Sequence, residues 1–291
     1  FVPSRGLGDV YKRQEQGHPG FHYISGSSVG AIITGGLSMY PPDRFKEAAA
    51  FVEWVWRERI TSSRSIWKLR PPVGIPGLWR PSFGSNEPLY DLLRESLSSE
   101  QIRASGIRIR ISAVDLLTGT LKVYDETTPD IPRAILASAA FPVAFPPVKM
   151  GDRLEVDGAV RDFAPVKAAI DAGASDITVL LTERGDALSR VTPDDVRTSF
   201  QVTQRLLRIV FQEIIHNDLH HCAKINKLLD EGLLDESTSG YRRVNLTVIQ
   251  PSKPLGGPLE FGRRLIDAQI KQGYEDARQI LTSTNGGKLR I

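Results

Sequence analysis

Residues 107–114 (IRIRISAV) alternate apolar and polar side chains, the period of a half-buried strand. Thr118-Gly119-Thr120 then turn the chain into 121–124, so the two runs are expected to form a hairpin. Residues 177–181 (ITVLL) are a short apolar run, expected as a buried strand; 153–156 is expected as a further short strand and 244–249 as the last one. Elsewhere the apolar positions recur every three or four residues. Phe45, Ala48, Ala49, Val52 and Trp56 mark one face of a helix over 43–60. Helices are also expected at 31–39, 88–97, 131–140, 165–172 and 261–281. Thr192-Pro193-Asp194-Asp195 has the cap, the proline and the acids of a helix start. The long helix it opens carries Phe200, Leu207, Val210, Phe211, Ile214 and Ile215, with a break expected near Asn217. Alternating strands and helices predict an α/β fold: three α/β/α layers around a mainly parallel sheet.

Two stretches stand outside this pattern. Residues 1–14 (FVPSRGLGDVYKRQ) have no period and no initiator Met, and resemble translated sequencing-adaptor read-through. They are expected to be a non-native prefix, the natural chain having begun earlier, with 15–291 forming a single domain. Residues 61–85, rich in Pro, Gly, Ser and Arg, are expected to be an irregular cap. The four tryptophans, Trp54, Trp56, Trp67 and Trp79, lie in or beside it, among Arg57, Arg59, Arg64, Lys68, Arg70 and Arg80. Trp beside Arg suits a membrane interface, where rings sit near headgroups and cations meet phosphates. A surface excursion whose rings pack inward has the same composition.

Composition narrows the class. At 291 residues, with 41% hydrophobic and 24% charged, the chain has the profile of a globular protein with a sizeable core. No apolar run is long enough to cross a membrane as a helix. The single cysteine, Cys222, excludes an internal disulfide. Net charge is +3, of which residues 1–14 carry +2 through Arg5, Lys12 and Arg13 against Asp9. That balance argues against nucleic acid as a partner. The compartment expected is cytoplasmic, with peripheral membrane contact; a leader ahead of residue 1 stays open.

Candidate chemistry begins at Gly26-Ser27-Ser28-Val29-Gly30, between a short strand and an apolar helix. G-x-S-x-G at such a turn exposes the serine hydroxyl above the sheet and places it at a helix N-terminus, where negative charge is favoured. A serine needs a base to take its proton. The histidines are His18, His22, His216, His220 and His221, and none follows a late strand, where a Ser-His-Asp hydrolase needs one. Asp157, before Gly158-Ala159 at the end of the 153–156 strand, is the better partner. An acid at the carboxyl end of a strand is expected to point into the crevice the serine faces. A turn-forming Asp before Gly is the plainer reading of that residue.

These residues resemble the patatin-like phospholipases, whose elbow serine pairs with an aspartate in a D-G-G or D-G-A motif. EQGHPGFHYISGSSVGAI is similar to the family's entry into the elbow, ASAAFPVAFPPV with VDGAVRDFAPVKAAIDAGA to its second block, and GYEDA to its closing helix. The resemblance spans about residues 15 to 281. It implies a lipid acyl hydrolase with a Ser28–Asp157 dyad, a lipid or fatty-acyl ester substrate, and no cofactor or metal. It also implies an oxyanion hole from the Val29 N–H and a glycine-rich loop, G-G-G-x-R-G. Here that loop is reduced to Ser4-Arg5-Gly6-Leu7-Gly8 within the prefix, so Arg5 and Gly6 are the candidates left. Two rival functions remain at this point: a Ser-His-Asp esterase in the order Ser28, Asp157, His216, and a non-catalytic lipid-surface module using the Trp/Arg segment.

Overall fold

The computed structural model describes residues 20–69, 81–182, 191–253 and 261–282. The prefix 1–14, His18, and Arg70, Trp79 and Arg80 lie outside those residues.

Strand β1 (Tyr23–Ser27) leads through Ser28 into helix α1 (Val29–Leu37). Alternate residues of β1 look to opposite sides. Gly26 faces α1 so closely that a Cβ there would lie 2.3 Å from the Gly30 carbonyl oxygen. Ser25 and Ser27, on the other side, donate to the carbonyls of Pro165 (3.3 Å) and Phe163 (2.7 Å). The segment ahead of α6 (Val166–Asp171) therefore covers the face opposite α1, and helices flank the sheet on both sides.

The expected helix over 43–60 is one helical path of three kinds. A 3-10 turn (Pro42–Arg44) opens it, α2 (Phe45–Trp54) carries it, and a π-helical turn (Val55–Arg59) ends it. Its expected apolar stripe is buried throughout, down to Trp56 at 1% exposure. Within 61–85, β2 (Lys68–Leu69) pairs antiparallel with β3 (Gly84–Ser85). Trp56 is not available to a membrane surface, because its ring is in the core and stacks on Phe261 at 6.3 Å. Trp67 is half-buried, and Trp54, at 47%, is exposed. Two of the cations are already paired: Arg57 with Glu53 (2.6 Å) and Asp267, and Arg59 with Glu95.

Helices α3 (Glu87–Ser96) and α4 (Ser99–Ala104) lead to the central strand β4 (Arg108–Asp115). Its inward residues, Ile109, Ile111 and Ala113, are fully buried. The expected hairpin is formed with β5 (Leu121–Tyr124). After α5 (Ile131–Ser138), β6 (Val148–Met150) and β7 (Arg153–Asp157) complete a five-stranded mixed sheet. Its register has a particular consequence. Ser112 pairs with Ser27 and Val123, and Ala113 pairs with Asp157 and Lys122. A strand residue has only two sides, so β5 fills one edge of β4 while β1 and β7 share the other. β1 runs parallel to β4 and β7 antiparallel, so their carboxyl ends meet head-on one residue apart.

β8 (Asp176–Leu180) and β9 (Asn245–Ile249) pair in parallel, like β1 and β4, and build a second apolar cluster with Ile215 and Leu219. Those two residues belong to α7 (Ser199–Asp230). The expected helix start at Thr192 is instead a separate 3-10 turn, and α7 has its own capping box between Thr198 and Gln201. The break expected at Asn217 is absent: its side chain turns outward and donates to Glu213 one turn back, at 3.0 Å. A short helix α8 (Glu236–Ser239) and the closing α9 (Arg263–Thr282) finish the chain. Among the described residues no helix is long and apolar enough to cross a membrane.

The antiparallel strands also bury the carboxylate of Glu155, away from the elbow. Glu155, 0% exposed, accepts from Tyr124 Oη (2.6 Å) and Arg153 Nε (2.8 Å). Burial and this bond push the Tyr124 hydroxyl up to about 12. Tyr124→Phe removes one donor from a buried carboxylate. It is expected to cost about 1–3 kcal/mol, read as a lower urea midpoint at pH 7; an unchanged midpoint would show that Arg153 suffices.

Candidate active site

Ser28 occupies the turn between β1 and α1 with φ 55° and ψ −127°. Positive φ is rare outside glycine and marks stored backbone strain, of order 1–3 kcal/mol. The strain fits a nucleophile elbow, but the hydroxyl does not stand open above the sheet as expected: Ser28 is 6% exposed, because its side chain turns to Asp157. Ser28 Oγ donates to Asp157 Oδ2 at 2.6 Å across 129 residues of chain. The other carboxylate oxygen, Oδ1, accepts the Ala159 N–H at 2.9 Å, where Gly158–Val160 forms a 3-10 turn. Both backbone N–H groups of the pair are also tied: Ser28 N to Ser138 Oγ (3.1 Å) and Asp157 N to the Ala140 carbonyl (3.1 Å).

Asp157 reaches the serine by a different route from the one expected. Carboxyl ends of parallel strands gather at one edge of a sheet, but β7 is antiparallel to β4. Its register, ending where β1 ends, brings the side chains together. Gly158 is required there, since a Cβ would stand 2.1 Å from the Ser112 carbonyl oxygen.

Asp157 is 0% exposed, and burial pushes its carboxyl up to about 7 against the bonds from Ser28 and Ala159, which hold it down. The neighbouring Asp162 is raised to about 6, by burial first and by Asp218 second. Among the described residues no histidine enters the hydrogen bonds of the pair. His22 is exposed just before β1, and His216, His220 and His221 are exposed on α7, where the first two rings stack at 6.1 Å. Phe211 of α7 packs on Phe163 (5.6 Å) and Phe141 (6.2 Å), covering the segments that follow Asp157 and Ser138. The Val29 N–H opens α1, one of the donors a helix leaves without an internal acceptor. The other oxyanion candidates, Arg5 and Gly6, lie outside the described residues. Among the described residues no three His, Cys, Asp or Glu side chains converge as a metal site requires. The structure thus brings Gly26, Ser27, Ser28, Val29, Gly30, Asp157, Gly158 and Ala159 together. Ser138 and Ala140 were legible only as part of a small-residue helix, and nothing in their pattern marked them.

A family model described as patatin-like phospholipase matches residues 10–170, more than half of the chain, including both Ser28 and Asp157. The chain belongs to that family, one of lipid acyl hydrolases. The match begins inside the 1–14 stretch. Among solved structures the chain is similar to VipD from Legionella pneumophila, at 14% identity and a TM-score of 0.41. The alignment covers 95% of this chain and 64% of that one, so this chain spans less than two thirds of it.

Burying a carboxyl whose unfolded pKa is about 4 and whose folded pKa is about 7 links stability to pH. The folded state holds the proton more tightly, so stability falls as pH rises from about 4 to about 7 and then levels. Asp157→Asn is therefore expected to melt above the parent chain at pH 8, the gap closing toward pH 4. A pH-independent gap in thermal melts would contradict this cause.

Proposed function

We propose that the chain hydrolyses carboxylic esters of fatty-acyl lipids through Ser28 and Asp157. The observation that carries this reading is the 2.6 Å hydrogen bond from a strained elbow serine to a buried aspartate. Ionised Asp157 takes the hydroxyl proton as Ser28 Oγ attacks the ester carbonyl. The oxyanion forms at the start of α1, where the Val29 N–H and the helix dipole favour it. Asp157 returns the proton to the departing alcohol. A water, deprotonated by the same carboxylate, then releases the fatty acid from the acyl-serine. A carboxyl near 7 suits a group that must both take and give a proton near neutrality. The substrate side is a lipid or acyl ester, reached at a membrane surface by contacts that include the exposed Trp54.

Hydrolysis of p-nitrophenyl butyrate by the purified chain tests the reading. Ser28→Ala and Asp157→Asn are each expected to lower kcat/KM by about 10³-fold or more. Only the ionised carboxylate can accept the proton, so kcat/KM is expected to fall about tenfold per pH unit below about 7 and to level above it. Triple replacement of His216, His220 and His221 by Gln is expected to leave turnover intact. Loss of turnover there, or normal turnover in either dyad variant, would overturn the assignment. Liposome binding without any ester hydrolysis would favour the non-catalytic lipid module.

A further inference from the structure

The corner at which α5 ends makes one bond to each member of the Ser28–Asp157 pair. Ser138, the last residue of α5, is 0% exposed, and its Oγ accepts the Ser28 N–H at 3.1 Å. Two residues on, the Ala140 carbonyl accepts the Asp157 N–H at 3.1 Å. The corner is itself held: Ala139 N donates to the Ile135 carbonyl (2.9 Å) and Ala140 N to that of Ala137 (3.2 Å). Ala137, Ala139 and Ala140 are buried in the main core.

The bond to Ser28 has a reason. Pairing of β1 with β4 ends at Ser27, and α1 begins at Val29, so the N–H between them belongs to neither element. A buried N–H needs an acceptor, and the strained φ of 55° needs an outside restraint. We infer that Ser138 is a positioning residue for the nucleophile. Its hydroxyl, on the same rigid corner as the Ala140 carbonyl, sets the spacing between Ser28 Oγ and the Asp157 carboxylate. This rests on the hydrolase reading given above.

Three variants, Ser138→Ala, Ser138→Thr and Ser28→Ala, assayed with p-nitrophenyl butyrate, separate the two ideas. Ser138→Ala is expected to lose about 10- to 100-fold in kcat with KM within about twofold, the pattern of a displaced nucleophile behind an unchanged binding surface. Ser138→Thr keeps the acceptor and is expected to recover most of kcat. Should its extra methyl prevent folding, Ser138→Cys, a weaker acceptor, is expected to fall between Ser and Ala. The pH profile supplies a readout that loss of packing would not move. Burial raises Asp157, and the Ser28 hydroxyl and Ala159 N–H are the groups that oppose it; among the described residues no charged side chain enters. Loosening Ser28 therefore moves the acid limb of kcat/KM to higher pH in Ser138→Ala. Hydrogen exchange of the peptide spanning Ser28 is expected to speed up in the same variant, whatever the turnover. Parental kcat, acid limb and exchange in Ser138→Ala, with Ser28→Ala inactive, would overturn the role of Ser138 and leave the hydrolase reading standing. Normal turnover in Ser28→Ala would instead remove the hydrolase reading, and unchanged exchange would then reject the Ser138 bond by itself.

Discussion

One edge of β4 is shared by two strands that run toward each other, and the geometry of the candidate site follows from that. β1 arrives parallel and stops at Ser27; β7 arrives antiparallel and stops at Asp157, one step further along. The next residue after β1 is the serine. Both strand ends must turn away abruptly, which is why glycines stand at 26 and 158, where any Cβ would meet backbone oxygen. The carboxylate ends up sealed inside the sheet's helical cover, with Ser28 and Ala159 donating to its two oxygens. Its raised pKa is a consequence of that enclosure. The same enclosure makes the site a stability cost, because ionising a buried acid opposes folding.

Much of this was legible in the residue pattern, for identifiable reasons. Strict alternation over 107–114 and the Gly119 turn specify a hairpin locally, and β4 and β5 form it. The G-x-S-x-G stretch specifies a strand–turn–helix by the same local logic. Other features depend on what packs around them. The direction of β7 was invisible, because a five-residue strand carries no mark of the partner it will join. Asn217 did not break α7, since a helix covering two apolar clusters gains more from continuity than one polar residue costs. Ser138 was missed because a serine among alanines looks like a helix former of small size; its role exists only across 110 residues of chain.

The described tryptophans divide between core and surface. A run of Trp and Arg suggests a patch facing lipid, yet Trp56 fills the core and two of the nearby arginines are neutralised by Glu53, Asp267 and Glu95. Trp54 alone among the described tryptophans is exposed. The aromatic cover that matters to the site comes from elsewhere, through Phe211 on Phe141 and Phe163.

The central claim is that an aspartate, without a histidine, makes the elbow serine nucleophilic. Intact-protein mass spectrometry after exposure to a fluorophosphonate reads this directly. The account predicts one adduct per chain, mapped by peptide sequencing to Ser28, absent in Ser28→Ala and slowed by orders of magnitude in Asp157→Asn. Labelling of Asp157→Asn at the parental rate, or an adduct on another residue, would contradict it.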